Sequence, residues 1–216
     1  MVAELLSNPK RAKNLAPYFQ PALIEGGVEP EQRVVFGGVG WQHYLEIDKE
    51  LGDDRPGPRM YFLDGDIEIV TTSNEHERIK KTIGGLIEIF LDERQISTMP
   101  RGQATMRILE KAGAEPDESY CIGEEKQWPD IVLEVALSTG GLPKLEVYQR
   151  FAIPEVWLWR RGHLEIHALS GDGAAYDRKD ASGILPALPI ELIERCVVIS
   201  DWLEARRAFR SGLAGR

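Results

Sequence analysis

The chain has 216 residues, with 35 acidic against 26 basic, a formal net charge of -9 and two cysteines. That length holds one good-sized domain with its own core, and two cysteines exclude a disulfide framework or a four-thiolate zinc site. The acidic balance argues against gripping nucleic acid by charge alone, while leaving room for an enzyme that meets it through a locally basic face or a bound metal.

Residues 1–58 are the least regular part, broken by Pro9, Pro17, Pro21, Pro30, Pro56 and Pro58. They read as an N-terminal arm with short helical pieces, the best being Trp41 to Leu51, closed by a turn-rich connector at 53–58. Met1 to Gln20 has no apolar core of signal-peptide length. The apolar runs are strand-sized, far below the roughly 20 residues of a membrane helix. A cytoplasmic location follows by default.

A second region, 59–216, reads as the main domain. Met60–Leu63 and Asp66–Val70 flank Asp64-Gly65, a hairpin signal, because Asp-Gly accepts the positive φ of a type I′ turn. Ser73 or Asn74 opens a helix with Ile79, Ile83, Leu86, Ile87 and Phe90 at helical spacing, ending near Arg94. Gly84-Gly85 on that helix lets another element pack close. Strands follow at 96–99, 103–109, 119–122 and 130–137. Gly140-Gly141-Leu142-Pro143 leads into a helix that Pro154 closes. Strands at 156–159 and 163–169 and a weaker one after Tyr176 precede helical pieces at 190–196 and 201–213. The pattern is α+β or mixed α/β. Trp157 and Trp159 alternate on a strand as packing residues, or form with His163–Leu169 a homodimer interface.

The stretch from Glu115 to Tyr148 carries the chemistry. Glu134 interrupts an otherwise apolar strand, and a carboxylate there is expensive to bury alone. A divalent metal or a lysine compensates such a charge. Lys144 begins the next helix, and strand, turn and returning helix can bring it back near Glu134. Asp117, Glu134 and Lys144 thus form an acid–acid–lysine set suited to Mg²⁺ or Mn²⁺ and to phosphodiester cleavage. Spacing alone leaves a plainer alternative open, a strand-end Asp and a Glu–Lys salt bridge. Arg78, Lys80 and Lys81 on the first long helix are candidates for meeting a phosphate backbone, or form an ordinary solvated face.

Several blocks are more specific than the spacing. They are 61–66 (Tyr-Phe-Leu-Asp-Gly-Asp), Asn74-Glu75-His76, 115–119 (Glu-Pro-Asp-Glu-Ser), 128–135 (Trp-Pro-Asp-Ile-Val-Leu-Glu-Val), 144–148 (Lys-Leu-Glu-Val-Tyr) and 153–158 (Ile-Pro-Glu-Val-Trp-Leu). In this order the chain resembles the Uma-two family, a bacterial branch of the PD-(D/E)XK nuclease superfamily, over about Arg59 to Leu169. The resemblance implies a restriction-endonuclease-like core, a mixed β-sheet flanked by helices. It implies a metal-dependent endonuclease acting on nucleic acid, taken as DNA, with Asp117 and Glu134 as Mg²⁺ or Mn²⁺ ligands. Glu75 or His76 is placed near the metal edge. The superfamily lysine usually lies two residues after the Glu, where this chain has Ala136; the family pattern moves it to the next helix, matching Lys144. The loop before Lys144 is short for the family. The substitution at Ala136 and that loop keep a second reading in play, a nuclease fold that binds or scaffolds without turnover. With a net charge of -9, contact with nucleic acid is expected to be weak, salt-sensitive and metal-dependent.

Overall fold

The computed structural model describes residues 20–21, 31–52 and 58–215. Residues 53–57 of the expected connector, and 1–19 and 22–30 of the expected arm, lie outside the described residues. In chain order the strands are β1 (Gln20–Pro21), β2 (Arg33–Phe36), β3 (Arg59–Leu63), β4 (Asp66–Val70), β5 (Thr98–Pro100) and β6 (Met106–Ile108). They continue as β7 (Ala112–Ala114), β8 (Glu118–Ile122), β9 (Ile131–Val135), β10 (Glu155–Arg160), β11 (His163–Leu169) and β12 (Tyr176–Lys179). The helices are α1 (Trp41–Leu51), α2 (Asn74–Glu93), α3 (Lys144–Arg150), α4 (Ile190–Val197) and α5 (Trp202–Ala214). The result is a mixed α+β protein, with two sheets and five helices among the described residues.

The chain divides into two compact units: Met1–Ser73 with Thr105–Glu115 and Ser138–Phe151, and Asn74–Ala104 with Pro116–Leu137 and Ala152–Arg216. The first holds an antiparallel sheet in the order β1-β2-β4-β3-β7-β6. Its centre is the β3–β4 hairpin, whose turn residues Asp64 and Gly65 have φ of 47° and 102°, the left-handed pair that a type I′ turn requires. Helix α1 lays Tyr44 into a core with Val34, Phe36, Met60, Phe62, Ile67 and Ile69. The Trp41, Tyr44 and Phe62 rings stand 5.0–5.3 Å apart in tilted and edge contacts.

Two strands here differ from the sequence reading. Arg33–Phe36, inside the stretch expected to carry short helices, is a strand, because Val34 and Phe36 alternate into the core beside β4. Ala112-Gly113-Ala114 forms β7 although it has no β-branched or aromatic residue. Its smallness is the reason. A Cβ at Gly113 would stand 2.6 Å from Tyr44 Cζ, so only glycine lets the strand pass under that ring.

The second unit holds a mixed sheet in the order β12-β11-β10-β9-β8-β5. Only β9 and β10 run parallel; the other neighbours are antiparallel. Helices α2, α4 and α5 join one face in a core that includes Ile83, Leu86, Phe90, Leu133, Trp157, Trp159, Ile193 and Phe209. Helix α5 starts on Asp201, whose Oδ1 accepts the Glu204 N–H at 2.7 Å. Gly85 makes the expected close approach possible, since a Cβ there would stand 2.6 Å from the Trp202 ring. Trp157 and Trp159 are buried in this core, as packing residues. Cys121 and Cys196 are both buried and unbridged.

Candidate active site

Asp117 enters the second sheet just ahead of β8, and its bonds fix it against β9. Its N–H donates to the Leu133 carbonyl at 3.1 Å, and its Oδ2 accepts the Val135 N–H at 2.6 Å. These two anchors bracket Glu134, and the β8–β9 register, in which Glu118 faces Leu133, carries the Asp117 backbone alongside Glu134. Asp117 is fully buried and Glu134 nearly so. The first turn of α2 adds His76, also buried, whose Nε2 lies 3.2 Å from Asp117 Oδ2 and whose Nδ1 lies 3.5 Å from Glu77 Oε1.

Glu75 points elsewhere. Arg78 donates to both its oxygens, at 2.7 and 2.8 Å, and this guanidinium holds the Glu75 carboxyl below the usual range. Arg78 also reaches the Val197 carbonyl at 3.0 Å. The expected basic cluster on α2 is therefore largely spent. Arg78 is paired with Glu75, and Lys80 is buried against Glu77 at 2.6 Å. Lys81 lines a groove with Arg78, Thr82, Glu88, Glu118 and Trp202, so acidic and basic groups share it.

Lys144 belongs to the first unit, as the first residue of α3. Its Nζ lies 3.3 Å from Glu68 Oε2 and over the ring of Tyr61. Glu68 is fully buried in β4. Its Oε2 also accepts the Leu142 N–H at 2.8 Å, and its Oε1 lies 3.3 Å from Arg33 Nε. Sequence reasoning missed Glu68 as the partner of the lysine and Arg33 as a second partner of Glu68. The available signal was a charge between Ile67 and Ile69 in the second hairpin strand, which strand alternation assigns to a solvent face. Away from the turn, both strands of this hairpin are buried on both faces, so no such face exists.

Among the described residues no group of three His, Cys, Asp or Glu side chains is gathered as a ready metal cluster. The Asp117–Glu134 pair nevertheless fits a hard divalent cation by its donor chemistry. Magnesium is commonly held by one or two carboxylates, with water and substrate phosphate filling the remaining positions.

A family model described as "Putative restriction endonuclease" matches residues 41–194, which is more than half of the chain. The match begins at α1 and runs into α4, wider than the stretch from Arg59 to Leu169. The fold and the matched span together define a protein of the restriction-endonuclease-like class. The chain belongs to the Uma2 family. A crystal structure described as a "putative nuclease belonging to DUF820" from Anabaena variabilis is similar at 12% identity, with a TM-score of 0.46, covering 76% of this chain and 98% of that one. No curated protein matches the chain. The family supports a nuclease-like function and a chemistry that generally uses divalent metals. No helix among the described residues is long and apolar enough to cross a membrane.

Proposed function

We propose that this protein is a divalent-metal-dependent endonuclease that hydrolyses phosphodiester bonds, with DNA as the substrate and Mg²⁺ or Mn²⁺ as the ion. The observation that carries the proposal is Asp117, tied by its backbone and its carboxylate to the residues on either side of Glu134. Two buried carboxylates on adjacent backbone segments are costly, and a cation held by both would relieve that cost. Bound there, the ion would lower the pKa of a water and stabilise charge on the phosphate.

The side chains divide the remaining work. Asp117 and Glu134 hold the ion, and His76 fixes the orientation of Asp117 from the start of α2. Glu75, named with them from the sequence, has its carboxylate engaged by Arg78 and acts only if that pair opens. Lys144, taken from the family pattern, supplies positive charge against the phosphate. The net charge of -9 makes binding to DNA weak and salt-sensitive. The proposal also places the protein in the cytoplasm, where buried reduced thiols are ordinary. A homodimer would have to use a face other than Trp157 and Trp159, and light scattering reads it directly.

Plasmid nicking with Mg²⁺ or Mn²⁺ tests the proposal. Wild type is expected to relax supercoiled DNA, and Glu134→Ala is expected to lose that activity. Equal cleavage by both proteins assigns the activity to a contaminant and ends the proposal. The reading without turnover draws on Ala136 and on the ion pair between Lys144 and Glu68. It predicts no nicking by wild type even where calorimetry finds Mn²⁺ binding that Asp117→Asn abolishes.

A further inference from the structure

We propose that Glu68 is the positioning residue for Lys144, and that Arg33 fixes both Glu68 and the loop that delivers the lysine. The use made of the amine rests on the nuclease reading above; the positioning is a property of the first unit.

Lys144 needs such a device. It opens a helix of seven residues, directly after a loop in which Gly140 and Gly141 both take left-handed φ, 91° and 86°. A four-carbon stem on such a loop carries about 2 kcal/mol of rotamer entropy and has no inherent aim. The first sheet supplies the aim. Tyr61 and Glu68 are directly opposite across β3 and β4. The ring and the carboxylate therefore meet the amine from adjacent strands, one through its π face and the other through Oε2. The same Oε2 accepts the N–H of Leu142, two residues before the lysine, so one oxygen fixes the side chain and its approach together.

Arg33 completes the frame from β2. Its Nε faces Glu68 Oε1, and its terminal nitrogens donate to the Gly140 carbonyl and, at 3.3 Å, to Ser138 Oγ. Ser138 in turn donates to Glu31 at 2.7 Å, while Glu31 lies 3.5 Å from Arg33. Gly141 is the residue that lets these groups close. A Cβ there would stand 2.8 Å from both Glu68 oxygens and against the Arg33 guanidinium. A buried ion pair is a weak device for stability, because an apolar replacement of similar volume often serves as well. It does fix a geometry. Here the whole network converges on the amine and the loop before it, which offers Lys144 as a positive charge at a set place.

The test is amine labelling of the full-length protein with an acetylating reagent, read peptide by peptide by mass spectrometry. Lys126, which pairs with Asp130 in the second unit, is the internal reference. In wild type Lys144 is expected to label slowly. In Glu68→Gln its rate is expected to rise about tenfold, the scale of losing one charge-assisted contact, with Lys126 unchanged. Glu68→Asp keeps the charge that Arg33 requires and withdraws the carboxylate by one methylene, so it stands in should Glu68→Gln fail to fold, and the same rise is expected. The plasmid assay gives the second readout. Glu68→Asp is expected to lower kcat roughly 10–100-fold at unchanged KM, and to have no further effect in a Lys144→Met background.

Unchanged Lys144 labelling in Glu68→Asp overturns the inference. So does equal acceleration at Lys144 and Lys126, which assigns Glu68 to the fold as a whole. A wild type that does not nick DNA, but shows the labelling difference, overturns the nuclease reading and leaves the positioning standing.

Discussion

Glu155→Gln probes how the second unit handles a buried charge. The Glu155 carboxylate is 3% exposed and accepts four hydrogen bonds. On Oε2 these come from Trp157 Nε1 at 2.8 Å and Ser182 Oγ at 2.7 Å, and on Oε1 from the N–H groups of Gly183 at 2.6 Å and Ile184 at 3.2 Å. Glutamine has the same shape but one acceptor oxygen and one NH₂. If the NH₂ takes the Oε2 place, it faces the indole N–H. Ser182 cannot then easily turn to help, because its oxygen already accepts from Ile184 and Leu185 at 3.1 and 2.8 Å. If the NH₂ takes the Oε1 place, it faces the Gly183 N–H. Either way one buried donor loses its acceptor, at about 1–3 kcal/mol, and the surviving bonds lose charge assistance, for a total of roughly 2–5 kcal/mol. Urea denaturation followed by tryptophan fluorescence and circular dichroism measures this as a lower midpoint at unchanged slope. A Gln variant within about 0.5 kcal/mol of wild type, the range of an ordinary surface substitution, would refute the reasoning.

Three further outcomes follow from the first unit and from the carboxylate pair. Burial pushes the Tyr44 phenol up to about 12, from an ordinary 10.0. Its contribution is complete below pH 10, where the phenol is neutral in both states. Above that the unfolded chain ionises first, so about 2.7 kcal/mol is lost between pH 10 and 12. Subtracting the alkaline stability profile of Tyr44→Phe from that of wild type isolates this slope, and identical profiles count against it. Gly113→Ala drives a methyl into the Tyr44 ring, which Trp41 and Phe62 hold in place, and is expected to cost ~1–3 kcal/mol and several degrees in Tm; an unchanged Tm shows that the ring yields. Calorimetric titration with Mn²⁺ is expected to show binding to wild type that weakens at least tenfold in Asp117→Asn, while Glu75→Gln changes it little because Arg78 already engages that carboxylate. A large effect of Glu75→Gln would return that residue to the ligand set.

Local rules were enough where partners are close in sequence. Trp41 to Leu51 forms the expected helix, the Asp64-Gly65 hairpin pairs as its turn demands, and α2 ends one residue short of the expected Arg94. They were insufficient where a distant partner decides. β7 exists because Tyr44, far away in sequence, needs small residues beneath its ring. The strand expected over 103–109 narrows to Met106–Ile108, since the chain turns between Arg101 and Ala104 with a bond of 3.1 Å. The candidate site divides in the same way. Asp117 and Glu134 stood out as a carboxylate after a proline corner and a carboxylate inside an apolar strand. Glu68 did not, because its partners Arg33, Leu142 and Lys144 come from separate stretches of the chain.

Four buried carboxylates now separate by what surrounds them, which composition cannot reveal. Glu155 is satisfied by four neutral donors close in the fold, the mark of a carboxylate that builds structure. Glu68 is placed between two cations and a backbone N–H, and it orders the chain around one of those cations. Asp117 differs from both in having an imidazole as neighbour and in accepting the N–H of Val135, next in the chain to the buried Glu134. Keeping two such charges in an interior is costly. A bound divalent cation would offset that cost. On this argument neutralising Asp117 should weaken metal binding more than it weakens the fold, and neutralising Glu155 should do the reverse.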